Sequence, residues 1–250
     1  MPSPSQTPES EQTPLRHRVA VVTGASQGLG RSIARHLATL GAHVVLIARH
    51  TGPLESVATE LKEMGADAWA LSCDVSDREQ VWKTARQIVD KWGHVDVLVN
   101  NAGIPAPRSL AETEFDDWDT VIGVNLSGAF YMTRALWQAL TAGEAGYVIN
   151  ISGTSGVRGG GSPAYGSTKF GLTGLTHAIA ASGEAHNVRA TVLYPGGMDT
   201  GWRGAPIGAK SRRETMDPDE VARYVGYLVT SPTEFVVNEA VLNPIAEPFM

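Results

Sequence analysis

Tyr165 and Lys169 stand four residues apart in the stretch 152–169, which reads SGTSGVRGGGSPAYGSTK. Where such a segment opens a helix, both side chains fall on one face, about one turn apart. A phenol with a pKa of about 10 is a poor proton donor or acceptor near neutrality. An ammonium one turn away favours the phenolate, lowers the tyrosine pKa and makes Tyr165 a general acid or base. The same spacing arises by chance in many helices, so its meaning rests on what the rest of the chain supplies.

A second constellation lies near the start. The β-branched run Arg18 to Thr23 predicts a strand, and Gly24-Ala25-Ser26-Gln27-Gly28-Leu29-Gly30 predicts a turn. A helix over 31–40 follows, with apolar Ile33, Leu37 and Leu40. Glycines in such a turn let the backbone approach a pyrophosphate, while the helix N-terminus presents free N–H groups and its positive dipole end. The spacing is Gly-x-x-x-Gly-x-Gly, which departs from the Gly-x-Gly-x-x-Gly fingerprint, but its place between the first strand and the first helix favours a dinucleotide over the alternative, a tight turn without ligand.

The next strand, His43 to Ala48, ends in Arg49-His50, with no Asp or Glu before Glu55. An acidic side chain at this place suits a ribose 2′-hydroxyl and a basic one a 2′-phosphate, so the sequence predicts NADP(H) over NAD(H). The alternative is that Arg49 is a solvated loop charge. The strand Ala68 to Cys73 runs into Asp74-Val75. Asp74 accepts from an adenine amino group in one reading; in the other, Asp74 or Ser76 caps the helix that follows. A further apolar strand meets Asn100-Asn101-Ala102-Gly103. Here the amides tie neighbouring strands together and Gly103 lets a cofactor pass close, unless the pair is ordinary turn chemistry.

These motifs need a scaffold, and the pattern supplies one. Short apolar runs alternate with amphipathic segments from Arg16 onward, which predicts an α/β fold with a parallel sheet and helices on both faces. The 250 residues, 42% hydrophobic and 18% charged, suit one large domain, and no repeat or linker divides them. Residues 1–15 predict a disordered tail, because up to Thr13 they are rich in Pro, Ser, Thr, Glu and Gln and offer almost nothing to bury. A net charge of −6 leaves no basic footprint for nucleic acid or anionic membrane. No apolar run reaches the roughly 18 residues a membrane helix needs, and no signal-peptide pattern opens the chain, so a cytoplasmic location is expected. The single cysteine, Cys73, excludes an internal disulfide, the seven histidines show no metal-ligand spacing, and Ser152 lacks a Gly-x-Ser-x-Gly elbow.

Four motifs in order, namely 23–30, 100–103, the Tyr165 and Lys169 pair, and Pro195-Gly196 followed by Thr200, make the chain resemble a short-chain dehydrogenase/reductase of the single-domain type. The resemblance spans nearly all of the chain after the tail. It implies a Rossmann-like, doubly wound sandwich with a mainly parallel seven-stranded sheet, a homodimer or homotetramer, and hydride transfer between NAD(P) and a small-molecule carbonyl or alcohol. Residue by residue, Tyr165 would be the acid/base and Lys169 would lower its pKa and hold the nicotinamide ribose. Asn125, in a locally distorted helix over 117–140, would hold a water linking the lysine to solvent. Asn101 and Gly103 would contact the cofactor, and Thr200 the carboxamide. The helices 117–140 and 165–181 would form the dimer interface.

The family's fourth catalytic member, a serine donating to the reacting oxygen, matches imperfectly. Counting back thirteen residues from Tyr165 reaches Ser152, whereas aligning on the strand puts Gly153 in the serine's place. A one-residue shift along a strand sends the side chain to the opposite face. Ser152 is the expected donor, with Thr154 or Ser155 as alternatives. The segment 196–216 predicts a substrate lid; Trp118, Tyr194, Met198 and Trp202 are candidates for an apolar pocket; and Lys210, Arg212 and Arg213 for an anionic substrate handle, as in a 3-oxoacyl carrier protein reductase. The alternatives to catalysis on carbonyls at large are that reductase and a non-catalytic cofactor-sensing or scaffold protein.

Overall fold

The computed structural model describes residues 13–159 and 162–247. Its frame is a sheet of seven strands: β1 (Val19–Thr23), β2 (His43–Ala48), β3 (Ala68–Ser72), β4 (Val97–Asn100), β5 (Gly146–Ile151), β6 (Val188–Pro195) and β7 (Glu239–Leu242). They lie in the order β3-β2-β1-β4-β5-β6-β7, and every neighbouring pair is parallel. The chain winds outward from β1 to β3, then returns to place β4 on the other side of β1. Open α/β sheets bind ligands at that reversal, outside the C-terminal strand ends.

Both faces of the sheet are covered, so its strands are buried throughout rather than alternating with solvent. Even-numbered residues of β1 (Ala20, Val22) pack with Ile33 and Leu37 of α1 (Gly28–Thr39), Leu54 and Leu61 of α2 (Thr51–Glu63), and Val221 and Val225 of α8 (Pro218–Thr230). Odd-numbered residues (Val19, Val21) face the other way. They meet Val81 and Ile88 of α3 (Arg78–Trp92), Met132 and Leu136 of α5 (Gly128–Ala142) and Ile179 of α7 (Pro163–Gly183). This division of β1 follows from the two-residue period of a strand.

The starts of the helices that flank the site are set by local chemistry. Asp77, rather than Asp74 or Ser76, caps α3, accepting from Glu79 N and Gln80 N. Ser162 caps α7 with Pro163 at its first position, and Asp217 with Glu220 forms a capping box on α8. The helix expected over 117–140 is α4 (Phe115–Ile122) running into α5 through a π-helical turn, Gly123–Ser127. A short helix, α6 (Ser155–Arg158), follows β5.

The expected tail, 1–15, falls outside the described residues up to residue 12. Its end departs from expectation: Leu15 is buried, and its N–H donates to Leu40 O at 2.9 Å. Among the described residues, no helix is long and apolar enough to cross a membrane, and no group of His, Cys, Asp or Glu could hold a metal ion.

Candidate active site

A cavity of about 990 Å³ opens at the C-terminal ends of the strands. It is lined by Gly24 and the run 26–30, by Arg49, Asp74 and Val75, by Asn101, Ala102 and Gly103, by Ser152, Tyr165 and Lys169, and by Pro195, Gly196 and Thr200. The expected cofactor-binding residues and, of the expected catalytic set, Ser152, Tyr165 and Lys169 are therefore here; Asn125 is not among the lining residues.

The glycine turn is packed too closely for side chains. A Cβ on Gly24 would come within 2.9 Å of Ala102 Cα, and Gly28 has φ +52 with Thr200 Cβ 3.2 Å from where its own Cβ would stand. Thr200 thus sits over the turn from the far side of the cavity. The N-terminus of α1 receives no side-chain cap from Gln27 and has no acidic residue in its first turn. Its free N–H groups and positive end fit a dinucleotide's pyrophosphate. At the end of β2, Ala48, Arg49 and His50 line the cavity with no carboxylate among them, which fits a 2′-phosphate. Asp74 also lines it, with Oδ1 accepting from Ser76 N (2.9 Å) and Ser76 Oγ (2.7 Å).

The asparagine pair ties strands as expected. Asn100 Nδ2 donates to Asn150 Oδ1 on β5 at 2.9 Å, and Asn101 Nδ2 to Thr23 O at the end of β1 at 3.0 Å. Asn125, in the π-helical turn, clamps Ile104: Oδ1 accepts from Ile104 N (2.8 Å) and Nδ2 donates to Ile104 O (3.0 Å). This holds the strand β4 exit, where Gly103 lies, against the helix that carries Asn125. Asn125 Nδ2 also reaches Thr168 Oγ1 at 3.5 Å, beside Lys169.

Tyr165 and Lys169 occupy the first two turns of α7. Lys169 is buried, its Nζ donates to Ile151 O at 2.9 Å, and it lies 5.3 Å from the centre of the Tyr165 ring. Burial disfavours the charged form and brings the Lys169 pKa down to about 8. Trp202 leans over the tyrosine, ring centres 6.4 Å apart and tilted by 52°.

The hydroxyl expected from Ser152 is elsewhere. Ser152 Oγ donates to Lys169 O at 2.9 Å, and a side chain that continued from Gly153 would start 3.6 Å from Tyr165 Oη. The position facing the tyrosine is thus Gly153, as strand alternation requires once Ser152 points to the helix. Thr154 and Ser155 do not line the cavity.

Of the expected pocket aromatics and methionine, Met198 and Trp202 line the cavity and Trp118 and Tyr194 do not. Tyr194 lies between α7 and β7, where its Oη meets Thr173 Oγ1 at 3.0 Å and donates to Glu239 Oε2 at 2.8 Å, and burial pushes its pKa up to about 12. The basic cluster divides as well. Lys210 lines the cavity, whereas Arg212 pairs with Glu220 (2.8 Å) and Asp217 (3.5 Å) at the start of α8. Sequence reasoning missed Ile151, whose carbonyl holds Lys169, and Glu247, whose Oε2 accepts from Gly197 N at 2.7 Å. Neither carries a local signal.

A glycine turn at the switch point shares one cavity with a tyrosine and a buried lysine. The family model of short chain dehydrogenases matches residues 18–207. An uncharacterized oxidoreductase of Staphylococcus epidermidis is 30% identical over 92% of this chain and 99% of its own. An alcohol dehydrogenase from the archaeon Thermococcus sibiricus, solved with 5-hydroxy-NADP, superposes with a TM-score of 0.87 at 31% identity, covering 93% of this chain and 99% of that one. A metagenomic short-chain oxidoreductase in complex with NADP gives a TM-score of 0.79 at 34% identity, over 92% and 98%. The chain belongs to the short-chain dehydrogenase/reductase family and is an oxidoreductase of that type.

Proposed function

We propose that the protein is an NADP(H)-dependent oxidoreductase that interconverts a carbonyl compound and its secondary alcohol, with Tyr165 as general acid/base. The observation that carries this reading is the placement of Tyr165 and buried Lys169 on one face of α7, in the same cavity as the uncapped N-terminus of α1. The cofactor's nicotinamide supplies or accepts the hydride when bound. Tyr165 gives its proton to the carbonyl oxygen in reduction and takes it from the alcohol in oxidation. Lys169, while protonated, favours the phenolate and stays oriented through the Ile151 carbonyl. Asn125 acts behind them by holding Ile104 and reaching Thr168. Arg49 would hold the 2′-phosphate, and the turn from Gly24 to Gly30 the pyrophosphate. Two solved relatives were obtained with NADP or a derivative of it, which supports the cofactor assignment.

The engagement of Arg212 with α8 weakens the carrier-protein reductase reading, because the basic cluster is not a free patch. The bare Gly153 favours a non-catalytic reading, against which stands the cost of burying Lys169. Phe130 on α5 and Phe170 on α7 are about half exposed, which supports assembly through these helices as a homodimer or homotetramer. The decisive experiment is NADPH oxidation across a panel of aldehydes and ketones by the wild type and Tyr165→Phe. Tyr165→Phe is expected to lose nearly all turnover while still binding NADPH; activity that survives the substitution unchanged sinks the mechanism.

A further inference from the structure

Among the described residues, the place of a side chain on Gly153, next to the Tyr165 hydroxyl, is open. A Cβ there would meet, among non-neighbouring described atoms within 4 Å, Tyr165 Oη at 3.6 Å and Pro195 O at 3.8 Å. The backbone there has φ +147, which L side chains rarely adopt, so the loop itself is shaped around glycine. Ser152 cannot turn in to compensate. Its Oγ is held by Lys169 O and packed under Gly156, where a Cβ would collide with it.

A carbonyl oxygen under reduction gathers negative charge and accepts two hydrogen bonds, one of them from Tyr165 on the reading above. A second donor placed where that charge develops is worth about 10²–10³ in rate in comparable sites. The space where its side chain would stand is bounded by a hydroxyl and a carbonyl oxygen, so it favours a small group with a proton to give over a methyl. We propose that the substrate brings this donor. The inference rests on the carbonyl–alcohol reading and narrows it to α-hydroxy carbonyl compounds and the corresponding vicinal diols. The neighbouring hydroxyl lies over Gly153, shared between Pro195 O and the reacting oxygen, and shifts toward the latter as its charge grows. That interaction is stronger in the transition state than in the ground state, which is what acceleration requires. The stoichiometry is that of NADPH reduction: the carbonyl carbon takes the hydride, its oxygen takes the Tyr165 proton, and the neighbouring hydroxyl keeps its own.

The test measures kcat/KM with NADPH for butan-2-one, 3-hydroxybutan-2-one and 3-methoxybutan-2-one, using the full chain. The methoxy compound keeps the electron-withdrawing oxygen but has no proton to donate. The hydroxy ketone is expected to exceed both others by about 10²-fold. Gly153→Ala, which fills the space with a methyl, is expected to shrink that preference to within about threefold, with NADPH binding by fluorescence confirming a folded site. Equal rates for the hydroxy and methoxy ketones overturn the proposal, as does an undiminished preference in Gly153→Ala. If the preference fails but Tyr165→Phe still abolishes turnover on the aldehyde and ketone panel, only this inference falls; if turnover is indifferent to Tyr165, the underlying mechanism falls with it.

Discussion

Lys169 Nζ donates to Ile151 O at 2.9 Å from a buried position, so this carbonyl replaces part of the ammonium's hydration shell. Its pKa of about 8 lies below the 10.5 of a free lysine. Between those values the unfolded chain binds a proton that the folded chain releases, so this group makes stability rise as pH rises from about 8 to 10.5. Below about 8 its cost is constant, on the order of 3 kcal/mol. Lys169→Met removes the cost and also leaves Ile151 O without its donor, a loss that is similar at both ends of the range. The melting temperature of Lys169→Met minus that of the wild type, without cofactor, is therefore expected to be greater at pH 7 than at pH 10 by roughly 5 °C or more. A difference that does not change with pH would show that the lysine is not desolvated as placed.

Cofactor choice should turn on the end of β2. Ala48, Arg49 and His50 line the cavity, and Arg49 O is fixed by Ser72 Oγ at 2.9 Å, which sets the direction in which this turn leaves the strand. Ala48→Asp sets a carboxylate where the 2′-phosphate is expected and offers an acceptor to a 2′-hydroxyl. The ratio of kcat/KM for NADPH over NADH is expected to fall tenfold or more, a change of about 1.4 kcal/mol or more in relative binding. Arg49→Gln should move the ratio the same way, mainly through KM for NADPH. A ratio untouched by both substitutions would mean that the 2′-phosphate is bound elsewhere.

What the sequence disclosed of this site follows the reach of its periodicities. Tyr165 and Lys169 were legible because a helix brings positions four apart onto one face, and Gly24 to Gly30 because a strand, a glycine turn and a helix follow one another without interruption. Asn100 and Asn101 were legible as strand ties because they end an apolar run. Ser152 was misread for a physical reason: at the exit of β5 one residue decides which face a side chain takes, and composition does not state the register. Tyr194 failed in the same way, its ring directed to Thr173 and Glu239 by the phase of β6. The π-helical turn at Gly123–Ser127 has no compositional mark, and only the buried asparagine inside a helix hinted at it. Contacts such as Ile151 with Lys169 depend on where two elements meet after folding.

Glu247 is the extreme of that kind, fifty residues from the amide it binds, and it holds three parts of the site together. Its Oε2 accepts from Gly197 N at 2.7 Å, at the start of the segment 196–216, and its Oε1 faces Arg158 Nη1 at 3.4 Å, at the end of the loop that begins with Gly153. Next to it, Ala246 N donates to Arg213 O at 2.8 Å, near the far end of that segment, while Met198 and Met216 bridge its two ends. The fit is tight, since a Cβ on Gly196 would come within 2.6 Å of both Glu247 Oε2 and the Asn243 side-chain amide. Glu247→Ala frees the Gly197 amide and removes one partner of Arg158. KM for the carbonyl substrate is expected to rise about tenfold, and trypsin is expected to cut faster at the exposed Lys210, Arg212 and Arg213. Glu247→Gln keeps an acceptor for Gly197 N but loses the charge toward Arg158, so it should fall between the two. If Glu247→Ala is cleaved within 196–216 at the wild-type rate and keeps its KM, the carboxylate does not position that segment.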